Sequence, residues 1–207
     1  MESSKKAQAT EKSKTRNRIA IFSSHNGSNF QKIVQACEEG NLNAQVVKLY
    51  CNNQDAYVLE RAKDLSIPSV LIPQSQWNSF VDWDQFVSSD LIESQVQWVV
   101  LAGFMKKIGP KTIQAFENKI INTHPSLLPK YGGVGMYGHK VHEAVIANKE
   151  TQSGITVHYV SENFDEGPVI AQKVIEVYGD DTANSLSERL KAIENDFFMQ
   201  TLKQVFE

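Results

Sequence analysis

Apolar and polar positions along this chain fall into blocks, and the period inside each block predicts the element it forms. Residues 19–22 (IAIF) are a short apolar run that predicts a first strand, followed by a turn-rich stretch of His25, Asn26, Gly27, Ser28 and Asn29. Phe30, Ile33, Val34 and Cys37 then recur at helical spacing. Residues 46–50 and 69–72 read as a second and a third strand. Residues 55–65 and 80–92 read as helices, the latter with Phe80, Trp83, Phe86 and Val87 on one face. Residues 98–102 (WVVLA) are continuously apolar, as a central strand buried on both faces requires, and 119–122 makes a fifth strand. Strands alternating with helices through right-handed crossovers imply an α/β fold: an open, mainly parallel, twisted sheet with helices on both faces.

The last third changes period. Residues 154–160 and 169–177 are longer and more alternating, separated by a loop over 161–168, which predicts an antiparallel or mixed C-terminal extension of the sheet. A final amphipathic helix starts near Thr182, with Leu186, Leu190, Ile193, Phe197 and Leu202 as its buried stripe and Asp181 or Thr182 as its N-cap. Residues 1–17 are almost without large apolar side chains, are rich in lysine, and read as a disordered polar tail ahead of one domain over 18–207.

Composition narrows the partners. A formal net charge of −3 carries no general nucleic-acid footprint, so an anionic ligand has to be held by local donors. No apolar run reaches the ~20 residues of a membrane span, and the N-terminus has no apolar core of a secretory signal, so a cytoplasmic setting is expected. Cys37 and Cys51 form no C-x-x-C pair and read as reduced thiols. Monomer and homodimer both stay open.

In an open α/β sheet, ligands bind outside the carboxyl ends of the strands, and the polar residues of this chain collect there. The turn at Gly27, Ser28 and Asn29 opens a helix, whose free amides and dipole form a ready anion site. An ordinary tight turn, or Ser28 as a simple N-cap, explains the same residues. Asn122 and His124 stand two apart, so an extended segment projects both to one side. An amide donor beside an imidazole suits acyl chemistry, one stabilising an oxyanion and the other moving a proton, although the pair alone also fits a strand end and turn. His158 reads as a strand residue with a structural hydrogen bond, and a place close to the site stays open for it. His139 and His142 sit at a helix start with no ligand set around them, and no metal site is expected. Asp165 lies in a loop of turn composition; if it reaches His124, its charge holds the imidazolium and raises the histidine pKa. No serine or cysteine carries a nucleophile elbow, which favours direct transfer.

Together, residues 18–31, 101–105, 121–131 (INTHPSLLPKY) and 154–170 (GITVHYVSENFDEGPVI) resemble the folate-dependent formyltransferases. The resemblance implies 10-formyltetrahydrofolate as co-substrate. Through its glycine-serine-asparagine loop it points to the branch that formylates glycinamide ribonucleotide in purine synthesis. It implies Asn122, His124 and Asp165 as the catalytic trio and Gly27, Ser28 and Asn29 as the substrate-phosphate loop. Met105, Lys106, Lys107 and Ile108, with Asn122, are implied as folate contacts, and Lys191 and Glu194 as contacts to the acceptor. The glycine-rich loop over 132–138 is about four residues longer than the family pattern and reads as a flap. Lys106 stands for a common arginine, and Phe80 stands where some members carry an arginine near the folate. The sugar N-formyltransferases would use the same trio. The methionyl-tRNA formyltransferases and the formyltetrahydrofolate deformylases carry a further domain that is not expected here. A non-catalytic folate or nucleotide binder would not need a proton-transfer histidine.

Overall fold

The computed structural model describes residues 16–207. In chain order these form β1 (Asn17–Ser23), α1 (Ser28–Glu38), β2 (Ala44–Cys51), α2 (Val58–Asp64), β3 (Ser69–Leu71) and α3 (Phe80–Glu93). There follow β4 (Trp98–Leu101), α4 (Pro110–Ala115), β5 (Ile120–His124), α5 (His139–Ala147), β6 (Gln152–Tyr159), β7 (Val169–Glu176) and α6 (Ala183–Phe206). The seven strands make one sheet in the order β3-β2-β1-β4-β5-β6-β7. Strands β1 to β5 are parallel, and β6 and β7 run antiparallel as the C-terminal extension.

Alternation along β1 divides the core. Ile19 and Ile21 face α1, α2 and the end of α6, packing with Phe30, Val58 and Phe198. Ala20 and Phe22 face the opposite layer, built from Trp83, Val87 and Leu91 of α3 with Ile108 and Phe116. In β4, Val99 and Val100 are both fully buried, which is why this segment is apolar without alternation. A third cluster joins Val145 of α5, Ile155 of β6, and Leu186 and Leu190 of α6.

Several sequence expectations shift. Residues 1–15 lie outside the described residues, and Asn17, placed in the tail by its polarity, is the first residue of β1. It pairs with Ala44, and its amide donates to the carbonyls of Asn43 (3.0 Å) and Phe206 (3.2 Å). On α3 only Trp83 and Val87 of the four expected core residues are fully buried. Phe80, in the first turn, stacks on Trp83, and Phe86 leans on Trp77; both keep a face in solvent. On α6, Leu186, Leu190 and Leu202 are buried, but Ile193 and Phe197 are half-buried, and Phe198 and Phe206 complete the stripe. The stripe drifts because this helix changes partner, from α5 and β6 at its start to the core under β1 at its end. Thr182 is its N-cap, its side chain accepting from the Ser185 amide at 3.2 Å. Helix α4 is too short to show a period; it is marked instead by Pro110 in its first turn and by buried Asp84, which accepts from the Lys111 and Thr112 amides.

Candidate active site

The chain crosses from β3 at one edge back over β1 to β4, so the strand order reverses at β1 and β4. A crevice opens at the carboxyl ends beside such a reversal. A cavity of about 690 Å³ occupies it, with Ser23 at the end of β1, residues 101–104 at and beyond the end of β4, and Asn122 and His124 of β5 in its wall.

At one end lies the start of α1. Its N-cap is Gly27, at φ +75°, without a side-chain cap, so Ser28 is not the cap and its hydroxyl is left exposed. The first helical bond runs from the Gln31 amide to the Gly27 carbonyl, which leaves the amides of Ser28, Asn29 and Phe30 without an intrahelical acceptor. A Cβ on Gly27 would lie 2.3 Å from Cγ2 of Val58, so glycine is required there by Val58 as well as by its φ. Arg61 of α2 braces this turn by donating to the carbonyl and side-chain oxygen of Asn26. Lys191 and Glu194 of α6 complete this end of the cavity. Burial raises the Glu194 pKa, against a hydrogen bond from Asn29 and the charge of Lys191.

Along the side, Gly103, at φ +75°, turns the chain out of β4. The Ser24 amide donates to its carbonyl, and the Met105 amide donates to the Ser24 hydroxyl at 2.9 Å. Met105, Lys106, Lys107 and Ile108 all line the cavity, but the Met105 N–H is already used. Phe80 is outside the lining.

The far end is assembled across the parallel-to-antiparallel junction. On β5, Ile120 packs under α3 and α4, and the same face continues as Asn122 and His124. Strand β6 sets His158 directly opposite Asn122. The Asn122 Nδ2 donates to His158 Nε2 at 3.1 Å, and His158 Nδ1 donates to the Tyr159 carbonyl at 2.9 Å. Burial lowers the His158 pKa, opposed by the Tyr159 carbonyl and the Asp165 charge, so the ring is a neutral acceptor for the Asn122 amide.

His124 is 5% exposed. Its Nε2 lies 2.8 Å from the Tyr131 carbonyl, and its Nδ1 lies 3.5 Å from Asp165 Oδ2. Each ring nitrogen therefore faces an acceptor, an arrangement satisfied fully when both carry hydrogen. Asp165, at φ +58°, also places Oδ1 3.6 Å from His158 Nε2 and accepts the Gly133 amide at 2.9 Å. Gly132 permits this approach, because a Cβ there would meet Leu128 at 2.5 Å and Asp165 at 3.1 Å.

The sequence-derived residues thus line one cavity: Gly27, Ser28, Asn29, Met105, Lys106, Lys107, Ile108, Asn122, His124, Asp165, Lys191 and Glu194. Sequence reasoning missed Tyr131 and Gly133, and gave His158 no part in orienting Asn122. It also set aside His142, which lines the cavity from α5. His142 is 4% exposed, its Nδ1 has no protein partner, and burial with nearby His139, Lys191 and His124 lowers its pKa to about 4. Among the described residues no group of three or more His, Cys, Asp or Glu side chains could hold a metal ion. No described helix is long and apolar enough to cross a membrane.

Comparison with known proteins places this cavity in context. The formyl transferase family model matches residues 17–202. The phosphoribosylglycinamide formyltransferase of Bacillus subtilis is 37% identical over 188 residues, covering 91% of this chain and 94% of that protein. The chloroplastic phosphoribosylglycinamide formyltransferase of Arabidopsis thaliana is 36% identical over 93% of this chain, which spans 66% of that longer protein. The crystal structure of glycinamide ribonucleotide transformylase 1 from Geobacillus kaustophilus superposes with a TM-score of 0.85 at 34% identity, covering 93% of this chain and 100% of that one.

Proposed function

This chain belongs to the formyl transferase family, and we propose that it moves the formyl group of 10-formyltetrahydrofolate to the amine of glycinamide ribonucleotide, as a cytoplasmic enzyme of purine synthesis. The observation that carries this reading is a single cavity joining an open helix N-terminus at one end to Asn122, His124 and Asp165 at the other. A phosphate on the amides of Ser28 and Asn29 fixes the acceptor, with Lys191 and Glu194 beside it. The folate supplies the activated formyl group. Its flat ring system fits the backbone of residues 105–108 against the apolar side chains of Leu101, Ile108 and Val160.

Asn122 has two N–H bonds on Nδ2, and His158 takes one. The other remains for the formyl oxygen, which gains negative charge as the acceptor amine adds to the carbon. As the amine–carbon bond forms and the bond from carbon to the folate nitrogen breaks, His124 carries the amine's proton to that nitrogen through Nε2, which exchanges the Tyr131 carbonyl for the substrates. Asp165 keeps that ring oriented through Nδ1. No nucleophilic side chain is needed, and the transfer is direct.

The test is a turnover assay with 10-formyltetrahydrofolate and a panel of acceptors: glycinamide ribonucleotide, its dephosphorylated form and nucleotide-linked amino sugars. Glycinamide ribonucleotide should give the highest kcat/KM, and removing its phosphate should raise KM steeply. Preference for an amino sugar would overturn the acceptor assignment, and no transfer to any amine would overturn the reaction.

A further inference from the structure

Tyr131 and Glu150 are absent from the lining of the main cavity, yet they are bonded to its chemistry. The Tyr131 carbonyl receives His124 Nε2 at 2.8 Å, while the hydroxyl of the same residue donates to Glu150 Oε1 at 2.9 Å. Tyr131 sits at φ +57°, a region that side chains other than glycine adopt only when held there. Two residues on, the Gly133 amide grips Asp165. One short turn therefore touches both members of the His124 and Asp165 pair. It is fixed from behind by the Ser126 hydroxyl on the Lys130 carbonyl (2.6 Å) and from outside by Glu150, which also receives the Lys130 ammonium at 2.9 Å.

We propose that Tyr131, anchored by Glu150, is a positioning residue for the reaction: the tether holds the Tyr131 carbonyl where it orients the His124 ring. This rests on His124 acting as read above. Asp165 occupies one ring nitrogen, and without a fixed acceptor on the other the ring can turn about χ1 and χ2. A small misplacement of a catalytic group is enough to cost large factors in rate. The Tyr131 hydroxyl is the part of this arrangement that substitution can remove without changing the backbone or the cavity wall. Glu150 stands between α5 and β6 on the far side of the turn, so its effect on turnover has to pass through Tyr131 or Lys130 of that turn.

The experiment uses the full chain and compares Tyr131→Phe, Glu150→Ala, Glu150→Gln and the double variant Tyr131→Phe/Glu150→Ala. For each, kcat and both KM values are measured over a range of pH, together with the melting temperature. The tether predicts that Tyr131→Phe and Glu150→Ala each lower kcat about tenfold, with a changed pH profile and both KM values nearly constant. The double variant should be no worse than Glu150→Ala alone, because that variant has already broken the tyrosine connection. Glu150→Gln keeps an oxygen for the tyrosine hydroxyl and should recover most of the loss. Unchanged kcat in both single variants, additive losses, or a fall in melting temperature with kcat intact would each overturn the proposal. If Tyr131→Phe does not fold, the Glu150→Ala and Glu150→Gln pair decides alone. The wild-type chain in the same assay separates the two readings: no transfer to glycinamide ribonucleotide defeats the functional assignment, whereas normal transfer with indifferent variants defeats only the tether.

Discussion

Gly27, Ser28 and Asn29, at one end of the cavity, are consecutive in the chain and form one helix start. Asn122, His124, Tyr131, Gly133, His158 and Asp165, at the other end, come from β5, the turn after it, β6 and the loop before β7. The first group offers backbone amides in a conformation set by one glycine and one neighbour, Val58. The second works by side chains whose orientation is passed from one residue to the next. The Tyr159 carbonyl orients His158, His158 orients Asn122, and Tyr131 and Asp165 together orient His124. A locally built site tolerates distant change and fails at its own residues. A relayed site fails wherever the relay is cut.

The largest effect should come from the relayed end. Asn122→Ala removes the donor proposed for the developing oxyanion, so kcat should fall about a hundredfold or more, with acceptor KM almost unchanged. Steady-state kinetics checks this, and a loss confined to KM would move Asn122 from the reacting group to the binding group.

Next is the local end. Gly27→Ala forces a Cβ into the left-handed region and against Val58. A strain of about 1–2 kcal/mol should weaken acceptor binding roughly tenfold while leaving folate binding intact. Calorimetric titration with each substrate measures the two affinities separately. Loss of both would erase the contrast between the ends, and Val58→Ala in the same chain should recover part of the acceptor affinity.

His142 lies between the two ends and tests their shared wall through pH. Its folded pKa is depressed from 6.5 to about 4, so the folded ring stays neutral while the unfolded one takes up a proton. Its contribution to stability is fully present above pH 6.5 and is lost as pH falls through the window down to about 4. Urea midpoints at a series of pH values should show His142→Gln losing less stability on acidification than the wild type. Parallel curves would mean that the ring does not remain neutral. The smallest effect should be Lys106→Ala, since the side chain is exposed and the proposed folate contact is through backbone. Folate KM should stay within about twofold, as for an ordinary surface change.

The same contrast explains what could be read before the fold was seen. Consecutive apolar residues with flanking turn residues mark the five parallel strands and the Gly27 loop, and the change to alternation marks the antiparallel extension, because these are local patterns. Asn122 and His124 were legible as a pair by their spacing of two along a strand. The place of His158 opposite Asn122 was not, since that depends on antiparallel register, which one strand does not specify alone. Tyr131 was invisible for another reason: it acts through its carbonyl, which every residue has. His142 was set aside because histidines at a helix start were weighed only as metal ligands, whereas its burial follows from how α5 packs on α6.

The amide of Asn17, bonded to the carbonyls of Asn43 and Phe206, stitches the first strand to the last turn of the last helix. That seam lies at the amino ends of the parallel strands, opposite the cavity. Residues 17 and 206 can therefore be joined by a short linker and the ring reopened at an exposed loop elsewhere, giving a circular permutant whose cavity is unaltered. By the same geometry, a fusion partner attached at this seam projects away from the cavity.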